Sequence, residues 1–142
     1  MTLVSQILQA KGGTTWTVSP DTTVYDALNL MSEKDIGALI VVDDGDVIGL
    51  FSERDYARKV ILQGKSSKQT TVEEIMTQEV LCVGPEQSVA KCMALMTDKH
   101  IRHIPILNKG QLVGVISIGD VVKAIITEQQ IIINHLEDYI YS

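Results

Sequence analysis

Two seven-residue stretches carry the residues best placed to do chemistry: Gly49-Leu50-Phe51-Ser52-Glu53-Arg54-Asp55 and Gly114-Val115-Ile116-Ser117-Ile118-Gly119-Asp120. Both read Gly-x-x-Ser-x-x-Asp, with apolar strand-like residues before the serine and a helical pattern after it. A serine at a strand-to-helix junction accepts a hydrogen bond from an early helix amide, and an acid three residues on completes a capping box. The same geometry can hold a ligand. Free amides at a helix start give a positive potential suited to phosphate. A carboxylate one turn in can accept two hydrogen bonds from a ribose diol, as acidic residues do in dinucleotide folds. Capping and binding are compatible.

The elements that position these residues come from a duplication. Shifted by 65 residues, the two halves align without a gap over about forty positions, and at least ten identities fall in register. Val18, Pro20, Val24, Met31, Lys34, Ile36, Gly45, Gly49, Ser52 and Asp55 meet Val83, Pro85, Val89, Met96, Lys99, Ile101, Gly110, Gly114, Ser117 and Asp120. Each unit reads β-α-β-β-α. Thr15 to Val18 and Val80 to Val83 are short β-prone segments stopped by proline. Val24, Ala27, Leu28 and Met31 have helical spacing, as do Val89, Cys92, Met93 and Met96. Asp21 or Thr22, and Glu86 or Ser88, are candidate caps. The runs 39–42 and 104–107, turns at Asp43-Asp44-Gly45-Asp46 and Asn108-Lys109-Gly110-Gln111, and runs 47–51 and 112–116 predict two hairpins.

The expected fold class is α+β of α/β type: two pseudo-symmetric repeats packed through their sheets, with flanking N- and C-terminal helices. The expected boundaries within a single module, 1–142, are repeat one at 15–62, a polar linker at 63–72, repeat two at 73–127 and a helical extension at 128–142. Thr71 to Met76 predicts a short capped helix leading into repeat two. The extension places Ile125, Gln129, Ile132, Leu136 and Ile140 on one side, and Ile131-Ile132-Ile133 exceeds one buried stripe.

Composition narrows the function. A net charge of −6 and a pI near 4.9 argue against a nucleic-acid partner. No apolar run has the roughly 18–20 residues of a membrane span, and the N-terminus shows no secretory pattern. Cys82 and Cys92 lack metal-ligand spacing and read as reduced core thiols of a cytoplasmic protein. Met31, Met76, Met93 and Met96 read as core filler, and Trp16 as a base-stacking residue or a surface anchor. No nucleophile, base or metal constellation is visible, so neither an enzyme, a metal site nor a catalytic cofactor is expected.

The duplicated unit, the paired junctions and the strand entry Ile101-Arg102-His103-Ile104-Pro105-Ile106 resemble a tandem pair of CBS domains, the Bateman module, over residues 15 to 127. The resemblance implies two clefts between the repeats that bind a regulatory adenosyl ligand (AMP, ATP, NAD(H) or S-adenosylmethionine). It also implies a homodimer and a signal passed to a separate protein. By position, Asp55 and Asp120 would hold ribose diols, with Ser52 and Ser117 at ribose or phosphate. Val18, Ala38, Leu39, Val83, Ile104 and Pro105 would line adenine pockets, Arg102 and His103 would reach phosphate, and Arg54 would join the nucleotide-binding residues of the first site. The copies differ: Gly37 and Ala38 stand opposite Arg102 and His103, and Arg54, Arg58 and Lys59 opposite Gly119, Lys123 and Ala124. Unequal sites follow, the Asp120 site suiting a compact anion such as AMP. The competing reading is a dimeric interaction module with empty clefts, its Ile-rich C-terminal helix docking a partner. A nucleotide-processing enzyme using the basic cluster near Asp55 ranks third.

Overall fold

The computed structural model describes residues 1–12 and 14–141. In chain order the elements are α1 (Val4–Lys11), β1 (Thr17–Val18), α2 (Val24–Lys34), β2 (Ala38–Asp43), β3 (Asp46–Ser52) and α3 (Glu53–Tyr56). The chain then widens into a π-helical turn (Ala57–Ile61) and continues with α4 (Val72–Ile75), α5 (Val89–Lys99), β4 (His103–Asn108), β5 (Gln111–Ser117) and α6 (Ile118–Tyr141). Two compact units result: residues 15–81, and residues 1–14 together with 82–142.

In the first unit the sheet order is β1-β2-β3, with β1 parallel and β3 antiparallel to β2. Asp44 and Gly45 both take positive φ, 51° and 84°, as the tight turn of a twisted hairpin demands. Thr23 accepts a hydrogen bond from the Asp26 amide and caps α2, one or two residues beyond the expected caps Asp21 and Thr22. One face of α2 (Val24, Ala27, Met31) packs with Leu39, Val41, Phe51 and Val60 into a closed core.

The second unit repeats this plan. Lys109 and Gly110 form the same positive-φ turn, Ser88 caps α5, and Val89, Cys92 and Met96 meet Ile104, Ile106 and Ile116. The expected opening strands are shorter than predicted. Only Thr17–Val18 forms in unit one, and only the parallel bridge of Val83 to Ile106 forms in unit two. The shortfall is at the starts, Thr15–Trp16 and Val80–Cys82, while Pro20 and Pro85 limit each ladder on the other side. Cys92 lies in the core and Cys82 is half-buried; neither is in a disulfide, and burial pushes both thiols above the usual range.

Two features of the packing differ from the expected picture. The helix at 72–75, predicted to lead into repeat two, packs instead on repeat one: Val72, Ile75 and Met76 are buried in the first core. The Val72 amide bonds the Thr22 carbonyl at 2.9 Å and the Val24 amide bonds the Thr70 carbonyl at 2.8 Å. The second core is completed in the same way by α1, from the other end of the sequence. Val4 and Ile7 are buried there, Val4 N–H bonds the Gln87 carbonyl and Val89 N–H bonds the Thr2 carbonyl, both at 2.9 Å. The segments correspond: Val4, Ile7 and Leu8 fill the places of Val72, Ile75 and Met76. The second difference is in α6, which runs unbroken from Ile118 to Tyr141, so the repeat's last helix and the expected extension are one helix. Ser142 lies outside the described residues.

Candidate functional site

Each Gly-x-x-Ser-x-x-Asp stretch folds into a strand end, a serine hinge and a helix start. In the first unit, the Asp55 Oδ2 accepts from the Ser52 amide at 2.9 Å and the Ser52 hydroxyl at 3.1 Å. The Asp55 amide in turn donates to Ser52 Oγ at 3.2 Å. In the second unit, Asp120 Oδ2 accepts from the Ser117 amide at 2.8 Å, and the Asp120 amide donates to Ser117 Oγ at 3.2 Å. Both junctions are thus reciprocally capped before any ligand is considered.

Each carboxylate also has a lysine, but the lysines are unrelated. Lys59, one turn beyond Asp55, places Nζ 3.2 Å from Asp55 Oδ1 and 3.1 Å from the Ile75 carbonyl. Its repeat counterpart is Ala124. Lys11 supplies the missing charge from α1, with Nζ 2.8 Å from Asp120 Oδ2 and 2.9 Å from the Val115 carbonyl. Sequence reasoning missed Lys11. The signal was the gap itself: an aspartate kept at 120 with no lysine four residues on. Burial alone would raise the Asp120 pKa. The bond and charge of Lys11, with the Ser117 amide and hydroxyl, outweigh it and hold the carboxyl below its ordinary value. Asp120 is therefore an ionised acceptor at neutral pH.

The other expected residues fall into three groups. Ala38 pairs with Ser52, and His103 with Ser117, so the first residues of β2 and β4 lie beside the serines. Val18 joins through its pairing with Val41, and Val83 through its bridge to Ile106. Half-buried Arg54 sits inside the first capping turn, and exposed Arg102 precedes β4, its carbonyl accepting from the Ile118 amide at 2.8 Å. Leu39 and Ile104 differ from expectation: their side chains are wholly enclosed in the two cores, so only their main chain can meet a ligand. Strand alternation explains this, since Leu39 and Val41 share the core face. Pro105 is buried too, with its carbonyl accepting from the Val83 amide at 3.2 Å.

Around the sites, Trp16 is covered by the Lys34 ammonium, 4.3 Å from the ring centroid, a surface cation–π pair. Arg58 is exposed. An open cleft of about 400 Å³ in the first unit, lined by Ser32, Asp35, Gly37 and Glu53 among others, includes none of the expected site residues. Among the described residues no group of three or more His, Cys, Asp or Glu side chains could hold a metal ion. Among the described residues no helix is long and apolar enough to cross a membrane.

The CBS domain family model matches residues 15–61 and 72–127, the two repeats that the junctions mark. The chain belongs to the CBS-domain family. This CBS-domain protein is 43% identical to the mitochondrial CBS domain-containing protein CBSX3 of Arabidopsis thaliana, over 98% of this chain and 72% of that protein. A CBS-domain structure from Burkholderia ambifaria MC40-6 is 56% identical, with a TM-score of 0.86 over 90% of this chain and 96% of the other. The CBS domain pair of protein MJ0100, solved with 5′-methylthioadenosine and S-adenosyl-L-methionine, shares the fold at 23% identity, with a TM-score of 0.78 over 90% of this chain and 98% of that one.

Proposed function

We propose that this CBS-domain protein is a non-catalytic sensor of adenosyl compounds, of the AMP, ATP, NAD(H) or S-adenosylmethionine type, and that ligand ribose is held at Asp55 and Asp120. The observation that carries the reading is the duplicate junction: in each unit a carboxylate is fixed by its own serine at a helix start, beside a short edge segment that offers apolar side chains, Val18 or Val83, to a flat base. A carboxylate held there is an acceptor for a diol, and the adjoining amides favour phosphate. The MJ0100 pair supports the capacity of this fold to hold adenosyl ligands. Two cysteines outside any disulfide support a reducing, cytoplasmic setting. Binding is reported to a separate protein, and we place the chain as a homodimer.

A thermal-shift panel with AMP, ADP, ATP, NAD, NADH and S-adenosylmethionine tests this. A ligand at about 100 times its Kd adds roughly 2.7 kcal/mol, a rise of several degrees for a domain of this size. A selective rise supports the sensor, and Arg102→Ala is then expected to weaken AMP more than adenosine. A flat panel overturns it and favours the interaction module. One observation favours that second reading: both aspartates are already paired, with Lys59 and Lys11.

A further inference from the structure

The second half of α6 is exposed along its whole described length. Val121 is buried, and Ala124 and Ile125 pack on the second core, but from Gln129 to Tyr141 every side chain is exposed. Along its outer side Val122, Ile126, Gln129, Ile133, Leu136 and Ile140 are spaced 4, 3, 4, 3, 4. That is an unbroken heptad seam with isoleucine at every a position and Val, Gln and Leu at d. Ile126, Ile133, Leu136 and Ile140 are 61%, 46%, 56% and 68% exposed. The seam is about 27 Å long, at 1.5 Å per residue.

We propose that this seam binds a second copy of the same chain, α6 against α6, antiparallel about a two-fold axis level with Ile131. The sequence is self-complementary in that arrangement. With residue n opposite residue 262 − n, Ile126 faces the partner's Leu136, Ile133 faces the partner's Gln129, and Ile140 faces the partner's Val122. Every a position meets a d position, each layer occurring twice. One flank then sets Lys123 beside the partner's Glu137, twice, with Gln130 against the partner's Gln130 between them. The opposite flank sets Ile132 against the partner's Ile132 and Ile125 near the partner's Tyr139.

Charge selects the direction. After Lys123 the charged residues of α6 are Glu128, Glu137 and Asp138, with no basic residue in the last turn. Parallel pairing would stack four carboxylates at one end, beside two negative helix termini. It would also press Ile132 against the partner's Glu137. Antiparallel pairing puts each acidic end beside a helix start that carries Lys123. Gln129, the single polar seam position, faces the partner's Ile133 and costs some stability. The interface depends on α6 alone and stands whether or not the junctions bind a nucleotide.

Sedimentation equilibrium on the full chain tests this with four variants: Ile133→Asp, Lys123→Glu, Glu137→Lys, and the double Lys123→Glu/Glu137→Lys. All positions are exposed, so circular dichroism is expected to show each variant folded. Ile133→Asp is expected to lose one association step. Each single charge reversal weakens association by about tenfold, as two opposite-charge contacts become like-charge ones, and the double variant restores it. A wild type that stays monomeric at every concentration leaves the seam to a different occupant and overturns the proposal. So does an Ile133→Asp variant that associates as well as wild type. Failure of the double variant to restore association overturns the antiparallel register.

Discussion

The two junctions have the same cap and different counter-ions. At Ser52–Asp55 the lysine comes from the next turn of the same helical segment, so the charge is neutralised locally. At Ser117–Asp120 it comes from α1, over a hundred residues away in sequence, so the ion pair also ties the N-terminal helix to the second unit. The duplication kept what the backbone needs at a strand-to-helix turn. It left open where the compensating charge comes from, because an ammonium on a long stem can reach one carboxylate from several directions.

The largest contrast to break is the seat of each completing helix. A side chain at Gly49 would collide with Met76, and one at Gly114 with Leu8. Gly49→Val and Gly114→Val are each expected to cost about 1–3 kcal/mol by overpacking, read as a fall in Tm. Hydrogen exchange separates them: Gly114→Val should release the α1 amides, whereas Gly49→Val should release those of 72–76. Equal protection of α1 in both variants would remove the parallel between the two seats.

Smaller effects come from the lysines. Lys11→Met is expected to cost up to about 1 kcal/mol, since the pair is partly solvated, and to speed exchange throughout α1. Lys59→Met should leave α1 untouched, because its partners Asp55 and Ile75 lie in the other unit. Loss of α1 protection in Lys59→Met would contradict the local reading of that lysine.

Acid sharpens the comparison further. Asp120 has a folded pKa below its ordinary value of 3.8, so its pairing stabilises the protein fully above that value. The contribution is lost as the pH falls from about 4 through the lowered pKa. Lys11→Met removes the largest of the lowering interactions, so a smaller stability increment disappears over that window. A urea midpoint measured between pH 2 and 5 should therefore fall less steeply in Lys11→Met than in wild type. Parallel slopes would mean that Lys11 does not hold the Asp120 carboxyl.

Much of this arrangement was legible in the chain. Turn chemistry at Asp44-Gly45 and Lys109-Gly110, the helical spacing from Val24 and Val89, and the capping serines are local signals, and local signals survive without the fold. What was missed is non-local. The helices that complete each core, 4–11 and 72–75, repeat at an offset of 68 rather than 65, so one ungapped frame cannot show them. The helix at 72–75 was foreseen but assigned to the following repeat, because its partners Thr22 and Val24 lie behind it in the chain. Leu39 and Ile104 were placed at the pockets by position from the family resemblance, yet strand alternation turns their side chains to the core. The gap at Ala124 hinted that Asp120 needed a distant cation, but nothing around Lys11 named it, as its role exists only once α1 is docked.

The measurement closest to the central claim is calorimetric titration of wild type, Asp55→Ala and Asp120→Ala with AMP and with S-adenosylmethionine. Losing a cap costs about 1 kcal/mol of stability, so both variants should fold. Losing a hydrogen bond to a charged acceptor costs about 1.5–3 kcal/mol of binding, roughly ten- to more than a hundredfold per bond in Kd. The sensor account predicts that each variant loses one site and keeps the other. Unchanged binding in both variants, or no heat from either ligand with wild type, would contradict it.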